Sequence, residues 1–359
     1  MSARPEPSPT PSPVPLPGPN SAYGLILNGT TLQMFDVYAV LRASAPVAAP
    51  SVRTCAAGMG AVLQPPVSAG TSNVYFRDGD TKIRSLTPTG RTADVTVVPG
   101  GPTTVSFFSV SPDEKRIAVL VEDLSPATTI NLRMYVEDLR GGGHNVEIYK
   151  TSTPKKGGST LWPMGWRRGN LVLAVVTPCT YSDGTGKLLP ANLGPTEWHI
   201  SGATDGKRLA TIRRAGCILS FWPSPAGVAC VDVYGRWANL YDWGGGVTRT
   251  FDHIRIQVQT SRSQNGRSIL FSSKAGIGPL PSELMQHEGS AETSQMWDLA
   301  PDGPRGASDL TDLLCLYIDE THAIGPQSIY EVPGGTRASL GFGQQIPSGV
   351  CAGRFPGGL

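Results

Sequence analysis

Short runs of alternating apolar and polar residues, separated by turn residues, extend along most of the chain. Residues 103–150 show four such runs in succession: TVSFFSVSP, KRIAVLVED, NLRMYVEDL and HNVEIYK. Each run is rich in β-branched or aromatic residues and ends at Gly, Pro, Asp or Ser, as β-strands do. The segment predicts a four-stranded meander, with a Ser-Pro-Asp-Glu turn at 111–114 between the first two strands, because Pro pre-sets a turn and Asp bonds its own backbone.

The first hairpin of this meander recurs along the sequence. Its turn centres lie near residues 70, 113, 168, 226, 265 and 320. A four-stranded repeat of about 40–55 residues is typical of a β-propeller blade. A β-sandwich does not require this self-similarity, and an α/β fold requires amphipathic helices, for which the sequence has no pattern. The six copies of the hairpin span 60–76, 107–120, 164–176, 218–231, 258–271 and 316–325.

The two ends of the chain complement each other. Residues 22–28, 31–39 and 40–47 resemble the second, third and fourth strands of a blade, and 349–359 resembles a first strand without successors. Joining them closes a ring and removes the exposed edges of an open sheet. We therefore predict one all-β domain over residues 21–359, a seven-bladed β-propeller of four-stranded antiparallel blades. A six-bladed ring, with the N-terminal strands packed otherwise, is the alternative.

The composition agrees with an all-β chain. Gly (43) and Pro (32) together make up about a fifth of the 359 residues, against a usual ~12%, which disfavours helices. Charged residues amount to 16%, and 30 basic against 28 acidic side chains leave a net charge of +2. Because basic residues are not in marked excess, the sequence predicts neither a nucleic acid nor an anionic membrane surface as a partner.

The first 20 residues, MSARPEPSPTPSPVPLPGPN, contain eight prolines. Such a run forms neither helix nor sheet, so residues 1–20 are predicted to be a disordered, polyproline-II-like stalk. No apolar stretch is long enough for a transmembrane helix, and no signal-peptide core is present in this chain. The stalk is interpreted either as a plain terminus or as a spacer behind a removed export signal or lipid anchor. The second interpretation predicts an extracytoplasmic protein, secreted or envelope-tethered.

Six cysteines form an even set without zinc-binding spacing, namely Cys55, Cys179, Cys217, Cys230, Cys315 and Cys351. Disulfides fit an exported protein, buried thiols are the alternative, and six cysteines allow 15 pairings. Cys217 and Cys230 flank one hairpin on adjacent strands, which predicts a disulfide between them. Cys55 and Cys351 both enter inner strands of neighbouring blades, which predicts a second disulfide across the ring closure.

The run FSVSPDEKRIAVLV resembles the repeat of TolB-like and WD-repeat-like propellers, in which a Ser-Pro-Asp turn precedes an apolar strand. The runs VYFRDGDTKIRSLTPTG and LRMYVEDLRGGGHNVEIY, with the terminal GRFPGGL, resemble a group of uncharacterised exported bacterial propeller proteins. The resemblance covers roughly residues 20–359 and implies the fold alone, because its motifs specify blades and bring no catalytic residues.

Three motifs fail as catalytic sites. GTGKLL (184–189) lacks both the leading Gly and the Ser/Thr of a phosphate-binding loop. His287-Glu288 has no second His in register for a zinc protease, and GVCAG (349–353) matches a nucleophile elbow but is not followed by a helix. The sequence therefore predicts no cofactor and no metal site.

Paired carboxylates and tryptophans are further candidates. Glu122-Asp123 and Glu137-Asp138 lie at strand ends, where a solvated or turn-binding role is the first interpretation and acid–base chemistry the alternative. The seven tryptophans are interpreted as packing between blades, with a platform for stacking sugar rings as the alternative.

Two connections between second and third strands are much longer than the others. They span 178–197 in the third blade and 273–293 in the fifth, and a propeller places both on one face. Loops longer than about 12–15 residues are commonly functional. A ligand or partner site is therefore predicted on this face, with decorative surface loops as the alternative. Its polar candidates are Tyr181, Asp183, Lys187, Glu197, Glu283, His287 and Glu288.

Two classes of function remain. The first is a monomeric binding or scaffolding module that presents the long-loop face to a protein or glycan of the cell envelope. The alternative is an enzyme, a lyase or hydrolase of a polysaccharide or lactone, with its site in the axial channel. The inner strands offer few groups for such chemistry, namely Asp319, Glu320, Arg262 and Arg354. For this reason the binding module is the preferred hypothesis.

Overall fold

A computed structural model of the protein describes residues 22–49, 51, 53–57, 59–61, 67–179, 181–182, 188–189, 195–213, 217–219, 222–232, 237–252, 259–262, 268–272, 294–298, 305–310, 314–331, 337–341 and 350–359. Only the backbone is described for 181–182, 188–189, 217–219, 231–232, 350 and the strands between 251 and 310.

All regular elements among these residues are β-strands. The chain begins with β1 (Tyr23–Asn28), β2 (Thr31–Asp36) and β3 (Leu41–Pro46), and a hairpin of β4 (Thr54–Ala56) and β5 (Met59–Gly60) follows. Blade 1 consists of β6 (Val67–Ala69), β7 (Val74–Asp78), β8 (Lys82–Leu86) and β9 (Thr92–Val97). Blade 2 consists of β10 (Thr104–Val110), β11 (Arg116–Asp123), β12 (Thr129–Asp138) and β13 (Val146–Pro154).

Blade 3 consists of β14 (Thr160–Arg167), β15 (Asn170–Val176), β18 (Glu197–Ser201) and β19 (Arg208–Arg213), with a small hairpin, β16 (Tyr181–Ser182) and β17 (Leu188–Leu189), inserted. Blade 4 consists of β20 (Cys217–Leu219), β21 (Val228–Asp232), β22 (Trp237–Tyr241) and β23 (Val247–Asp252). Blade 5 consists of β24 (Gln259–Arg262), β25 (Ser268–Ser272), β26 (Ser294–Asp298) and β27 (Arg305–Leu310). Blade 6 consists of β28 (Leu316–Tyr317), β29 (His322–Ile324), β30 (Ser328–Glu331) and β31 (Arg337–Ser339), and β32 (Val350–Phe355) ends the chain.

A further four-stranded sheet joins the two ends of the chain, and we call it the closing sheet. Its order is β32-β1-β2-β3, so the C-terminal strand is innermost. The register pairs Tyr23 with Phe355 and Leu27 with Val350. The sheet predicted from the chain ends is thus present, in addition to six blades formed by consecutive strands. The predicted all-β propeller of four-stranded antiparallel blades is confirmed, with six blades as in the alternative, and a seventh blade is not confirmed.

The inner strands surround a common axis. β32 contacts β28 of blade 6 and β6 of blade 1, and β10 contacts β6 and β14. In each blade the inner strand is the first of the four, and β32 is antiparallel to β1 as those strands are to their neighbours, so all inner strands run in the same direction along the axis. The connections between second and third strands therefore lie on one face, which we call the upper face. The turns between first and second strands lie on the opposite, lower face.

An extra residue in the outermost strand recurs from sheet to sheet. In blade 2, Met134 pairs with Tyr149 and Tyr135 pairs with Glu147, so Ile148 has no partner in the register. The same interruption occurs in the closing sheet and in blades 1, 3, 4 and 5. Because a β-bulge twists an edge strand and disrupts its ladder, it hinders pairing of the outer strands with another chain.

Tryptophans fill spaces between neighbouring blades, as the first interpretation predicted. Trp162, Trp166 and Trp198 are at most 1% exposed. Trp166 of blade 3 donates a hydrogen bond from Nε1 to the carbonyl of Ser109 in blade 2 at 3.2 Å. The guanidinium of Arg116 lies 4.9 Å from the centroid of a Trp166 ring. These contacts join blades 2 and 3.

The predicted Ser-Pro-Asp-Glu turn also joins two blades. The carboxylate of Glu114 accepts hydrogen bonds from the backbone N–H and the Nδ2 of Asn73, at 2.9 and 2.6 Å, and from the hydroxyl of Tyr75 at 2.8 Å. Burial and the Glu114 carboxylate together raise the pKa of Tyr75. The turn of blade 2 therefore holds the hairpin of blade 1 on the lower face.

Candidate functional site

A segment between the closing sheet and blade 1 crosses the upper face. Asp78 accepts a hydrogen bond from the N–H of Ala48, and Asp80 accepts bonds from the N–H and hydroxyl of Ser51 at 2.8 and 2.7 Å. Arg53 forms an ion pair with Asp80 at 2.6 Å. Burial raises the pKa of Asp80, but the bonds from Ser51 and the Arg53 cation outweigh burial and bring it to about 2. The segment is thus fixed to the upper turn of blade 1.

The hairpin β4–β5 continues from this segment to blade 3. A disulfide joins Cys55 to Cys179, whose Cα atoms are 6.0 Å apart although 124 residues separate them. Cys179 lies at the base of the long insertion of blade 3, forms a β-bridge with Ala61, and β5 contacts β16 of the insertion. We call residues 53–61 together with the described residues of 178–189 the upper platform.

The upper platform packs on the core at the upper ends of two inner strands. Cys55 and Cys179 are both fully buried, in one apolar cluster with Val105 of β10 and Leu161 of β14. Met59 packs against the same cluster. Because Val105 and Leu161 are each the second residue of their strand, the platform covers this side of the upper mouth of the axial channel.

The disulfide predicted between Cys55 and Cys351 is wrong. Both residues form disulfides, but Cys55 bonds Cys179 and Cys351 bonds Cys315. Cys55 belongs to β4 on the upper platform and not to an inner strand, so it lies away from the closure. Cys315–Cys351 instead ties blade 6 to the closing sheet.

The predicted Cys217–Cys230 pair is only partly described. Leu219 pairs with Cys230 and Cys217 with Asp232 across the hairpin of blade 4. Cys230 is disulfide-bonded, but the side chain of Cys217 lies outside the described residues. The pairing of these two cysteines therefore stays a prediction.

Most of the predicted long-loop site also lies outside the described residues. In the blade 3 insertion, the backbone of Tyr181 pairs with Leu189, and the Tyr181 side chain is not described. The remaining candidates that the structure does not describe are Asp183, Lys187, Glu283, His287 and Glu288.

Glu197 is the candidate whose side chain is described. One carboxylate oxygen lies 2.8 Å from Nε2 of His199, and the other forms an ion pair with Nε of Arg213 at 3.0 Å. Burial lowers the pKa of His199, and the Glu197 carboxylate opposes that shift. Both oxygens of Glu197 are thus engaged within blade 3, so this residue supports the base of the insertion.

The two carboxylates at the end of β11, Glu122 and Asp123, lie in different environments. Asp123 is near the surface and accepts a hydrogen bond from the N–H of Ser125 at 2.9 Å. Glu122 is fully buried, and its Oε1 accepts a bond from the hydroxyl of Thr160 in blade 3 at 2.6 Å. Its Oε2 has no hydrogen-bond partner among the described residues. Burial raises the pKa of Glu122 to about 8, against which the Thr160 bond acts weakly.

We expect Glu122→Gln to change the pH dependence of stability. An acid whose pKa is higher in the folded than in the unfolded state favours folding less and less as pH rises between the two values. The free energy of unfolding of the wild type should therefore fall by up to about 1.4 kcal/mol per pH unit between pH 5 and 8 relative to Glu122→Gln. Urea titrations at several pH values measure this difference.

Asp123→Asn is the matched control for Glu122→Gln. Bonds from Ser125 lower the pKa of Asp123, so its stabilising effect is lost only when pH falls through the acidic range. This variant should leave the slope between pH 5 and 8 unchanged. If the free energy of unfolding changed with pH equally in Glu122→Gln and in wild type over this range, a buried, protonated Glu122 would be contradicted.

The second pair, Glu137 and Asp138, binds its own turn. Glu137 accepts a bond from Nδ2 of Asn145 at 2.8 Å, and Asp138 lies 2.7 Å from Nδ1 of His144. This arrangement agrees with the turn-binding interpretation of the pair.

A cavity of about 110 Å³ lies at the lower end of the axis. It is lined by the last residues of several inner strands and by the C-terminal segment that follows β32. Leu359 donates its N–H to the carbonyl of Trp166 at 3.1 Å, and Gly357 donates to the carbonyl of Gly70 at 2.9 Å. A Cβ atom at Gly357 would clash with the carbonyl oxygen of Ala69, so only glycine permits this approach. The end of the chain therefore narrows the lower mouth.

The axial residues considered for an enzyme are only partly described, and among them Glu320 lies close enough to Arg354 to favour its charged form. Asp319 accepts bonds from the N–H groups of Thr321 and His322 in its own turn. Arg354 lines the lower cavity, and the Arg262 side chain is not described. Among the described residues, no group of three His, Cys, Asp or Glu is arranged to hold a metal ion. The described part of the chain also contains no helix long and apolar enough to cross a membrane.

Comparisons with known proteins find distant similarity to solved structures. No protein-family model and no curated protein matches the chain. Among solved structures, a protein of unknown function from Bacteroides caccae is similar at 9% identity, covering 78% of this chain and 90% of its own, with a TM-score of 0.42. Dipeptidyl peptidase 4 from Porphyromonas gingivalis is similar at 10% identity, covering 76% and 44%, with a TM-score of 0.45. Hsv2 from Kluyveromyces lactis is similar at 12% identity, covering 87% and 92%, with a TM-score of 0.44. Similarities this distant carry no information about activity.

Proposed function

We propose that the protein is an extracytoplasmic β-propeller that acts as a binding or scaffolding module. It presents the upper platform, and the long insertion of blade 3 that rises from it, to a component of the cell envelope, a protein or a glycan. In this proposal the blades serve as a rigid support and the chemistry of recognition belongs to the loops of the upper face.

One observation carries the proposal: the Cys55–Cys179 disulfide joins the hairpin β4–β5 to the base of the insertion. A covalent link across 124 residues fixes the relative position of two segments from distant parts of the chain. Fixing a surface before it binds reduces the conformational entropy that binding would otherwise cost. The insertion predicted as a binding site thus stands on the covalently fixed part of the upper face.

The compartment is part of the same proposal. Two disulfides are described, and disulfides persist mainly in oxidising compartments. The Pro-rich residues 1–20 have the composition of a semi-rigid spacer. The resemblance to a group of uncharacterised exported bacterial propeller proteins supports the same location. We further propose that the protein acts as a monomer, since the bulged outer strands hinder edge pairing.

Trimming the long loops tests this function. Residues 183–187 and 275–290 are each replaced by a short Gly-Ser turn, which leaves Cys179 and the strands intact. We expect the trimmed protein to lose capture of its partner from an envelope extract, by at least tenfold, while its melting temperature stays within a few degrees of wild type, since long surface loops contribute little to the core. Quantitative pull-down, with purified envelope glycans as a parallel arm, measures the loss.

The matched control shortens the turn at 87–90, which connects β8 and β9 on the lower face. This variant should capture the same partner as wild type. An unchanged partner set for the loop-trimmed protein, or an equal loss for the control, would contradict binding through the upper face.

A further inference from the structure

Arg354 is a cation held near the axis of the propeller. It lies in β32 opposite Gly24 of β1 and lines the cavity at the lower end of the axis. Burial lowers the pKa of its guanidinium to about 10, so it stays charged at neutral pH, and Glu320 acts in the opposite direction. Its side chain is partly exposed, so a molecule in the cavity can reach it.

Few contacts with the described residues engage the guanidinium of Arg354. The one hydrogen bond of the Arg354 side chain to them runs from Nη2 to the carbonyl of Gly358, and at 3.4 Å it is long. No described carboxylate forms an ion pair with Arg354, although Glu320 is close enough to favour its charged form. A guanidinium has five N–H donors, and the described residues accept from one of its nitrogen atoms, Nη2.

The rest of the cavity wall is largely apolar. Val110, Met164, Trp166, Trp222 and Leu359 contribute to the lining, with Arg354 on the closing-sheet side. A volume of about 110 Å³ is somewhat smaller than the ~150 Å³ cavity that accepts a benzene molecule. The space therefore fits a molecule of about five non-hydrogen atoms with one anionic end and one apolar end.

We propose that the lower axial cavity binds a short-chain organic carboxylate, whose two oxygens pair with the guanidinium of Arg354 while its alkyl end packs against Met164 and Trp166. The planar guanidinium matches a carboxylate with two parallel hydrogen bonds, which selects for this group over a neutral one. The site lies on the face opposite the upper platform, so the inference goes beyond the proposed function and does not depend on it.

Propionate is the probe for this site, and isothermal titration calorimetry with the full chain is the measurement. We expect a dissociation constant on the order of 0.1 mM, within the range that ligands of this size reach. Propionamide has the same shape without the charge and should bind at least 30-fold more weakly. Octanoate should be excluded because its chain exceeds the cavity.

Two substitutions assign the site to Arg354. Arg354→Lys keeps the charge but loses the two-pronged geometry, so it should weaken propionate binding by about tenfold. Arg354→Met keeps the length of the side chain without its charge and should abolish binding. If Arg354→Met does not fold, the affinities of the wild type for propionate and propionamide still test whether the cavity selects a carboxylate.

Three results would overturn the inference: no propionate binding by the wild type at 10 mM, equal affinity for propionamide, or unchanged affinity in a folded Arg354→Met. Binding of inorganic phosphate without binding of propionate would overturn the assignment of an organic carboxylate.

Discussion

Deleting residues 349–359 is expected to unfold the protein. The deletion removes β32, the inner strand of the closing sheet, and leaves β1 with an unpaired edge toward the axis. It also removes Phe355, which is buried against Tyr23, and the Cys315–Cys351 disulfide. Loss of a buried Phe costs about 3–5 kcal/mol and loss of a disulfide about 2–4 kcal/mol, which approaches the whole stability of a typical domain. Soluble yield and thermal unfolding measure the effect.

Deletion of residues 1–18 is the control for the opposite end of the chain. A Pro-rich run without apolar periodicity has nothing to bury, so its removal should leave the melting temperature unchanged. A normal melting curve for the protein without residues 349–359 would contradict the closure of the ring by β32.

Replacing both Cys55 and Cys179 with Ala should release the upper platform. The chain-entropy model of disulfides gives a loss of about 5 kcal/mol for a bridge that closes a loop this long, and disulfides typically contribute about 2–4 kcal/mol. The effect should also be local, because the hairpin β4–β5 then depends on Arg53 and on its packing against the core. We expect limited proteolysis to cut within 53–61 much faster than in wild type, while the blades stay protected.

The matching control replaces Cys315 and Cys351 with Ala. It removes a disulfide at the ring closure, so it should lower the melting temperature and leave residues 53–61 protected. Peptide mapping without reducing agent should recover Cys55 bonded to Cys179 from the wild type. Free thiols at these two positions would contradict the fixed platform and the oxidising compartment together.

The blades were predictable from sequence because their signal is local. The run FSVSPDEKRIAVL has a turn between two apolar runs, and the structure pairs Phe107 with Leu120 and Val110 with Ile117 around it. The closing sheet was also predictable, since 22–47 lacks a first strand and 349–359 lacks a second. Each of these inferences needs only the order of strands within one repeat.

The upper platform was not predictable, because it depends on which loops meet across the axis. Its strands are two and three residues long, which is too short for a pattern of apolar and polar positions. Cys55 therefore looked like part of an inner strand, and its partner was assigned wrongly. The first interpretation of Glu122 as a solvated or turn-binding carboxylate was wrong, because its side chain is fully buried. Both faces of β11 are buried against neighbouring strands or blades, so no alternation shows which face a polar residue occupies.

Hydrogen–deuterium exchange of the full chain, alone and with the partner captured from the envelope, tests the central claim most directly. We expect the partner to slow exchange in residues 53–61 and 178–197 and to leave the outer strands β9, β13 and β19 unchanged, because binding occurs through the upper platform and its insertion. Protection confined to the lower face or to the outer strands would contradict this account, as would exchange in the upper platform that the partner does not alter.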